Sequence, residues 1–363
     1  MTEEVGIVYG TTSPTSFKFA VSDTSIRKND YIQISHKDIG NVLGQITGIE
    51  RETNISFEKA KRIGTGEKLS TEDKVSAIVS IIGYKDERGV LSVPRTPFEA
   101  GGKVLRAEES LLRSVLGLKD EKGAYIGFLK GHKIKVYLDI NSIVQKHISI
   151  LSKTGGGKSY VVGVLLEELL KKSVPVVIID PHGEYSSLMH PNINESEYKL
   201  MEKFDVKARS YAEQIVEYSP DTKTNLHALP LRLDATNLEA RDIIELSNLR
   251  QTGPCGGIIS RAIRKLRERS LEYTFEDIVA EVSEDKNASR IGIIAPLEYL
   301  SSLGVFSYPP TKLSEIVKEG QATIINLKGV APEAQEIVVA RIVSRLFEAR
   351  KLDKIKAHLL VIE

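Results

Sequence analysis

A glycine-rich segment followed by lysine and serine is the part of this sequence best suited to chemistry. Its residues are Ser152, Lys153, Thr154, Gly155, Gly156, Gly157, Lys158 and Ser159. Glycines let backbone N–H groups turn towards phosphate oxygens, and the start of a following helix adds partial positive charge. In such a loop the Lys158 ammonium would reach the β- and γ-phosphates of a nucleotide, and the Ser159 hydroxyl would bind Mg²⁺. The segment therefore predicts a phosphate-binding loop, with Ser152 at the place where the usual pattern begins with glycine.

The sequence on either side of this loop predicts the elements that position it. Residues 147–151 have a β-strand pattern, residues 158–172 have helical apolar spacing, and residues 174–180 are typical of a second buried strand. The alternative is a simple glycine-rich turn that caps a helix. The βαβ unit favours the phosphate-binding loop over this alternative. Asp180 and Glu184 follow the second strand, where ligands bind in parallel sheets, and are candidates to orient Mg²⁺ or a water. The competing interpretation is that the segment is a turn in which Asp180 only caps the next helix.

A further acidic residue closes the sequence. Residues 358–363 form an apolar run that ends on Glu363, which is the pattern of a Walker B strand whose carboxylate lies in the Mg²⁺ shell. A core strand at the very terminus leads us to expect that the sequence is part of a longer protein.

Composition limits the class of protein. The chain has 363 residues, 27% of them charged and 41% hydrophobic, as in globular proteins of two or three domains. A net charge of +1 requires any nucleic-acid contact to come from a local basic surface. The single cysteine excludes an intrachain disulfide, and without a signal peptide or a run of about 18 apolar residues the expected location is cytoplasmic, with no membrane segment. The absence of Trp and the abundance of Lys, Glu, Arg and Ile lean towards a thermophile.

The elements fall into a multidomain α/β pattern. Short strand patterns predict a small β-barrel or sandwich over residues 1–95, in which no catalytic side chains converge. An α/β core follows over residues 96–235, where a hairpin is expected to turn at Gly131 and His132. Helical patterns over residues 236–305, the first of them at residues 238–249, predict an inserted bundle. The core resumes over residues 306–363, with a long helix predicted at Pro332–Lys351.

Two basic stretches are candidates for nucleic-acid contact. The first, a polar excursion after the Asp180 strand, carries Lys199, Lys203, Lys207 and Arg209. The second, a helical pattern in the inserted bundle, carries Arg261, Arg264, Lys265, Arg267 and Arg269. For the second stretch a solvated charged face is the competing interpretation.

These motifs resemble the HerA family of hexameric DNA translocases, within the larger HerA–FtsK group. The resemblance covers nearly the whole chain, and its most specific parts are residues 147–159, residues 179–185 and residues 358–363. It implies an N-terminal barrel like that of ATP-synthase subunits and a RecA-like core. The expected fold is thus multidomain α/β, with a RecA-like P-loop NTPase core, an N-terminal small β-barrel and an inserted helical bundle.

The resemblance also implies ATP and Mg²⁺ as cofactors. By resemblance, the nucleotide is bound by Thr154, Gly155, Gly156, Gly157, Lys158 and Ser159. Ser159 and Glu363 hold the metal, Asp180 assists in the nucleotide site, and Lys146 is placed to reach the phosphate of a neighbouring subunit. Family members carry a second, catalytic glutamate and an arginine region after the Walker B acid, so whether this chain alone hydrolyses ATP stays open.

The function that the resemblance implies is ATP-driven translocation or unwinding of double-stranded DNA. Archaeal members of the family resemble motors that resect DNA ends in double-strand-break repair and homologous recombination, with a partner nuclease docked on the ring. A homo-hexamer is expected, and a ring of seven subunits stays open. The alternatives are another pump of the HerA–FtsK group, for conjugation, packaging or chromosome segregation, and a nucleotide-binding assembly module without turnover.

Overall fold

The computed structural model describes residues 3–66, 73–118, 122–247, 249, 254–270 and 272–363. The chain divides into two units, Met1–Asp139 and Ile140–Glu363. Each unit has a hydrophobic core of its own, built from residues of that unit. None of the helices described is both long and apolar enough to cross a membrane.

The first unit is built around an antiparallel barrel. Its strands are β1 (Glu4–Tyr9), β2 (Ser16–Val21), β3 (Tyr31–His36), β4 (Gly40–Thr53), β5 (Asp73–Lys85), β6 (Leu91–Ser92) and β7 (Lys103–Arg106). The wall follows the order β2-β1-β7-β3-β4-β5, β5 pairs back with β2 to close it, and β6 extends β5. Alternate residues face the core, so that Phe17 and Phe19 are buried whereas Lys18 between them is exposed.

The barrel extends past residue 95, the boundary that the sequence pattern predicts. β7 lies between β1 and β3 and pairs with both, so it completes the wall. A strand of four residues carries too little periodicity to be assigned from its own sequence. Its place in the barrel is decided by pairing with strands about 70 and 100 residues earlier, as for Val104 with Ile34 and Gly6.

Two helices and a hairpin complete the first unit. These are α1 (Phe57–Gly64), α2 (Glu109–Leu116), β8 (Ala124–Phe128) and β9 (Lys135–Leu138). The predicted hairpin is confirmed by β8 and β9, which are joined through the turn at Gly131 and His132. Leu112 and Val115 of α2 pack with Leu43 and Ile134 in a small separate core.

The second unit is organised around a parallel sheet. Its strands are β10 (Val176–Asp180), β11 (Ile215–Ser219), β12 (Leu229–Pro230), β13 (Ala322–Asn326) and β14 (Leu359–Ile362). They follow the order β12-β11-β13-β10-β14, and every pairing is parallel. The carboxyl ends of all these strands therefore lie along one edge. All residues of β10 and β13 are buried, as expected for strands covered on both faces.

Helices surround this sheet. They are α3 (Ile140–Gln145), α4 (Lys158–Lys171), α5 (Tyr198–Phe204), α6 (Ala240–Leu246), α7 (Cys255–Arg269), α8 (Phe275–Ser283), α9 (Ile291–Ser302), α10 (Leu313–Ile316) and α11 (Pro332–Lys351). Short 3-10 turns lie at Tyr185–Met189, Glu195–Glu197, Ala212–Gln214 and Ala288–Arg290. The predicted α4 and α11 and the inserted bundle of α6 to α9 are confirmed. α6 ends at Leu246 rather than at the predicted Leu249, and Asn248 lies outside the described residues.

The inserted bundle shares one core with the sheet. Val177 and Ile179 of β10 and Ile325 of β13 pack in the same cluster as buried residues of α6 to α9 and of α11. The insertion is thus anchored on one face of the sheet and leaves the carboxyl ends of the strands to the loops. The predicted fold class is confirmed: the protein is α/β, with an N-terminal β-barrel, a P-loop NTPase core and a helical bundle inserted between β12 and β13.

Two predictions about strands at this sheet are wrong. Residues 147–151 form no strand, and Leu151 is 90% exposed. A β pattern becomes a strand only where a neighbouring backbone pairs with it, and none of the described strands pairs with this segment. β14 does form, but it is only half-buried, with Ile362 59% exposed, because it lies at the edge of the sheet.

Candidate functional site

The glycine-rich segment forms a loop that leads directly into α4. Gly155 and Gly157 have φ of 73° and 84°, in the left-handed region that disfavours a side chain. A Cβ on Gly156 would lie 2.8 Å from the carbonyl oxygen of Lys153, which is too close for any other residue without a shift of the loop. Gly157 immediately precedes the first residue of α4, Lys158, so the helix N-terminus opens onto the loop. The backbone geometry is therefore that of a phosphate-binding loop.

The first two residues of α4 converge on the carboxylate of Glu363. Lys158 Nζ forms an ion pair with Glu363 Oε1, and the Ser159 hydroxyl donates to the same oxygen at 3.1 Å. These residues are 205 and 204 positions apart in the chain, and they meet because Glu363 directly follows β14. The Glu363 side chain is 6% exposed and the Lys158 side chain 43% exposed, so the ammonium stays accessible to a ligand from solvent.

The charge state of Glu363 follows from these contacts. Burial raises the pKa of its carboxyl, but the hydrogen bonds from Lys158 and Ser159 and the positive charge of Lys158 more than offset burial and lower it below its ordinary value. Glu363 is therefore ionised at neutral pH. A carboxylate, a hydroxyl and an ammonium thus lie together at one helix N-terminus, and groups of this kind are suited to a phosphate with a divalent cation.

A cleft of about 200 Å³ surrounds this cluster. Apolar side chains of α4 and β14 line much of it, together with Lys146, His147 and Tyr185. Lys146 follows the end of α3 and is exposed. The structure therefore brings Lys146 to the same cleft as Lys158, within one chain, and its predicted reach to a neighbouring subunit stays a prediction.

Asp180 is fully buried, and its carboxylate is bound by the backbone of the loop that follows β10. Oδ1 accepts the N–H groups of His182, Gly183 and Glu184 at 3.2, 2.8 and 3.2 Å, and Oδ2 accepts the N–H of Tyr185 at 3.1 Å. These contacts match the competing interpretation in which the aspartate caps the turn. The Glu184 side chain is exposed, and only the backbone of this residue contacts Asp180.

A polar network that joins Glu217 of β11 to the end of β13 is a part of the site region that the sequence patterns miss. Glu217 Oε1 accepts a hydrogen bond from Asn326 Nδ2 at 2.6 Å, and Glu217 Oε2 accepts one from Ser186 Oγ at 2.9 Å. Because Ser186 lies in the loop after Asp180, the network ties that loop to the sheet. The sequence feature that could have indicated this network is Glu217, which lies between Val216 and Tyr218 in β11. A charged side chain in a buried strand needs hydrogen-bond partners.

The two basic stretches use their charges differently. In α7 the ion pairs are Arg261 with Asp285, Lys265 and Arg269 with Glu281, and Arg267 with Glu239. The excursion residues Lys199, Lys203, Lys207 and Arg209 are exposed, and within the described residues none of them forms an ion pair. Most of the α7 face is thus neutralised by neighbouring acids, whereas the excursion residues keep their positive charge available.

The chain is similar to a known protein family. Residues 124–346, more than half of the chain, match the family described as helicase HerA, central domain. The matched range contains the phosphate loop, α4, β10 and the inserted bundle. It ends within α11, before β14 and Glu363.

Individual relatives extend the similarity to the barrel. The DNA double-strand break repair helicase HerA of Pyrococcus furiosus is 25% identical over 96% of this chain and 65% of its own length. The probable DNA double-strand break repair helicase HerA of Methanocaldococcus jannaschii is 35% identical over 51% of this chain and 33% of its own length. The chain thus spans at most about two thirds of these two relatives.

Among solved structures, VirB4 of Thermoanaerobacter pseudethanolicus has 13% sequence identity and a TM-score of 0.37 over 68% of each chain. The resemblance seen in the motifs is confirmed by the family match rather than by this structure. On the strength of that match over more than half of its length, the chain belongs to the HerA helicase family.

Proposed function

We propose that this chain binds ATP with Mg²⁺ in the cleft around Lys158, and that it provides the motor part of a double-stranded DNA translocase or helicase. The observation that carries the proposal is the convergence of Lys158, Ser159 and Glu363 at the N-terminus of α4. Side chains from distant parts of the sequence bring an ammonium, a hydroxyl and an ionised carboxylate together beside a glycine loop. Nucleotide phosphates and Mg²⁺ require this combination.

The residues present suit both cofactors. Lys158 can turn from Glu363 to a phosphate because its side chain is nearly half exposed. Ser159 Oγ and the Glu363 carboxylate are hard oxygen donors, and Mg²⁺ in proteins commonly takes one or two such ligands and fills its remaining positions with water and phosphate. Glu363 Oε2 is buried without a hydrogen-bond partner in the part of the chain that the structure describes, so the carboxylate has unused acceptor capacity. When bound, Mg²⁺ would neutralise charge that develops on the transferred phosphate.

Within this proposal Asp180 has a positioning role. Its carboxylate holds the loop of residues 182–185 and does not reach the Lys158 cluster through a described hydrogen bond. Lys146 is proposed as a second phosphate contact, from the same chain or towards a neighbouring subunit, since it lines the cleft and is exposed.

The DNA substrate is proposed from the relatives. The relative from Pyrococcus furiosus is described as a DNA double-strand break repair helicase, and the one from Methanocaldococcus jannaschii as a probable one. This chain covers part of each. We extend the proposal to duplex DNA, to action at DNA ends with a partner nuclease, and to a ring of identical subunits, six or seven in number. The exposed excursion residues Lys199, Lys203, Lys207 and Arg209 are the candidate phosphate contacts.

Replacement of the loop lysine tests the nucleotide site. We expect Lys158→Ala to reduce ATP hydrolysis, with or without duplex DNA, by roughly 100-fold or more, because a positioned cation on the phosphates is removed. Binding of a fluorescent ATP analogue is measured in parallel, so that a chain without turnover is still tested. Thermal unfolding should show that the variant remains folded.

The matched control is Lys172→Ala, at the other end of α4, where the lysine is exposed and lies away from the loop. This variant should retain both nucleotide binding and hydrolysis. Equal losses in the two variants, or full DNA-stimulated hydrolysis by Lys158→Ala, would refute the assignment of the site.

A further inference from the structure

Two buried polar atoms in the nucleotide cleft have no hydrogen-bond partner. They are the hydroxyl oxygen of Tyr185 and Oε2 of Glu363, and they are the buried side-chain atoms for which no partner is found among the described residues. Tyr185 is 3% exposed, and the Glu363 side chain is 6% exposed. Buried polar groups in folded proteins nearly always have partners, so a pair of exceptions at one site requires an explanation.

Tyr185 and Glu363 line the same cleft. Burial raises the pKa of the Tyr185 hydroxyl, and the negative charge of Glu363 raises it further. In turn the Tyr185 hydroxyl is among the groups that lower the pKa of Glu363, after Lys158 and Ser159. In the same cleft the Tyr185 hydroxyl is thus a donor without an acceptor, and Glu363 Oε2 is an acceptor without a donor among the described residues.

Tyr185 is held in place from the other side by Asp180. Its backbone N–H donates to Asp180 Oδ2 at 3.1 Å, and the other oxygen of Asp180 fixes the three preceding residues of the loop. Tyr185 also begins the 3-10 turn that continues to Met189. The rigid loop thus presents the phenol ring to the cleft with little freedom to move away.

A purely apolar role does not account for this side chain. Burying the tyrosine hydroxyl removes its hydrogen bonds to water, a cost that a phenylalanine in the same space would not have. Buried tyrosine hydroxyls usually have a hydrogen-bond partner that offsets this cost. In this structure Oε1 of Glu363 is bound by Lys158 and Ser159, which leaves Oε2 on its own among the described residues. A ligand phosphate that draws Lys158 away would free Glu363 to adjust.

We propose that Tyr185 is a positioning residue for Glu363, whose hydroxyl donates to the carboxylate once Lys158 has turned to the phosphates and so holds the carboxylate in the orientation that binds Mg²⁺. This inference rests on the proposed nucleotide site and adds a residue to it. It links Asp180, through the loop and Tyr185, to the metal position. Removal of such an outer hydrogen bond typically weakens metal binding by 10- to 100-fold in other proteins.

The test separates metal binding from nucleotide binding. The affinity of the 363-residue chain for N-methylanthraniloyl-ADP is measured in EDTA and again in Mg²⁺. For Tyr185→Phe we expect an affinity in EDTA within about twofold of the parent, and a gain on adding Mg²⁺ that is smaller by roughly tenfold. A residue that only supports the fold would weaken both affinities together, and that result, or an unchanged gain, would overturn the inference.

Tyr211→Phe is the matched control. Tyr211 is equally buried, at 1% exposure, but its hydroxyl faces Glu167 at 3.5 Å and does not line the cleft. Its removal should leave both affinities unchanged.

A double-mutant cycle with Glu363 is a second, independent test. Glu363→Gln should also reduce the gain on adding Mg²⁺, and adding Tyr185→Phe to it should reduce the gain no further, because the two groups act through one hydrogen bond. Independent, additive losses would overturn the inference. A parent chain that binds the nucleotide in neither condition would instead refute the proposed nucleotide site.

Discussion

At the residue scale, the two acids at the sheet edge differ in what binds their oxygens. Glu363 receives side-chain donors, Lys158 and Ser159, whereas Asp180 receives four backbone N–H groups. Side-chain donors can leave when a ligand arrives, but backbone donors cannot move without unfolding the loop. Glu363 is therefore the acid that can exchange partners, and Asp180 is the acid that sets the shape of the loop.

The capping role of Asp180 predicts a stability effect. We expect Asp180→Ala to lower the free energy of unfolding by about 3 kcal/mol, because several N–H groups at a buried position would be left without a charged acceptor. Asp180→Asn should cost less, since one oxygen can still accept hydrogen bonds. Urea denaturation followed by circular dichroism measures both.

The control for this prediction is Glu184→Ala. The side chain of Glu184 is exposed, so its removal should change stability by less than about 0.5 kcal/mol. A destabilisation below about 1 kcal/mol for Asp180→Ala would argue against the cap and make Asp180 a candidate for direct metal binding again.

At the scale of elements, most of the basic side chains of α7 are paired with acidic residues of the same bundle. Glu281 of α8 is 5% exposed and pairs with Lys265 at 2.5 Å and with Arg269 at 2.9 Å. Asp285, just after α8, binds Arg261 through both carboxylate oxygens. The basic face of α7 is thus matched to its neighbours within the bundle, which favours a structural role for it.

This contrast predicts opposite effects of two sets of substitutions. The double change Lys265→Ala and Arg269→Ala should lower the free energy of unfolding by about 2 kcal/mol, because it leaves the Glu281 charge buried without its partners. The triple change of Lys199, Lys203 and Lys207 to alanine should leave stability nearly unchanged. It should instead weaken duplex DNA binding and reduce the log–log slope of affinity against salt by about 0.9 for each phosphate that is no longer neutralised.

Titration of duplexes of unrelated sequence at several salt concentrations measures the DNA effect. Contacts to phosphates give similar affinities for all sequences. Strong sequence discrimination, or DNA binding that disappears in the α7 double variant and persists in the triple variant, would reverse the assignment of the DNA surface.

At the scale of the whole molecule, the two units contain different kinds of groups. The second unit has the phosphate loop and the converging Lys158 and Glu363, whereas most buried side chains of the barrel are apolar, such as Phe17, Phe19 and Ile46. Basic and acidic residues are nearly equal, 50 against 49, so the chain as a whole does not attract DNA. The proposed DNA contact would therefore have to come from local basic surfaces.

We therefore expect nucleotide binding to survive without the barrel. Residues 140–363 should bind N-methylanthraniloyl-ATP within about threefold of the affinity of the full chain, because the site residues all lie in this unit. Self-association, followed by sedimentation velocity, should weaken if the barrel serves assembly. Unchanged assembly after its removal, or hydrolysis of a substrate by residues 1–139 alone, would contradict this division of roles.

Some features of this protein were determined by the sequence alone. The phosphate loop could be predicted because Gly155, Gly157 and Lys158 act through local backbone geometry, which depends on neighbours within a few residues. α4 and α11 could be predicted for the same reason, since their apolar spacing is a local pattern. The strands of the barrel could be predicted from the alternation of apolar and polar residues along them, as in β2.

Other features were decided only by the tertiary structure, because they depend on groups far apart in the chain. The sequence identified Lys158 and Glu363 separately, but only the placement of β14 beside β10 brings the ammonium to the carboxylate. The segment of residues 147–151 has a β pattern but pairs with none of the described strands. By contrast, β11 is a core strand although it contains Glu217, because Asn326 and Ser186 donate hydrogen bonds to that carboxylate. A local pattern states what a segment is able to form, and long-range pairing selects which of those possibilities is stable.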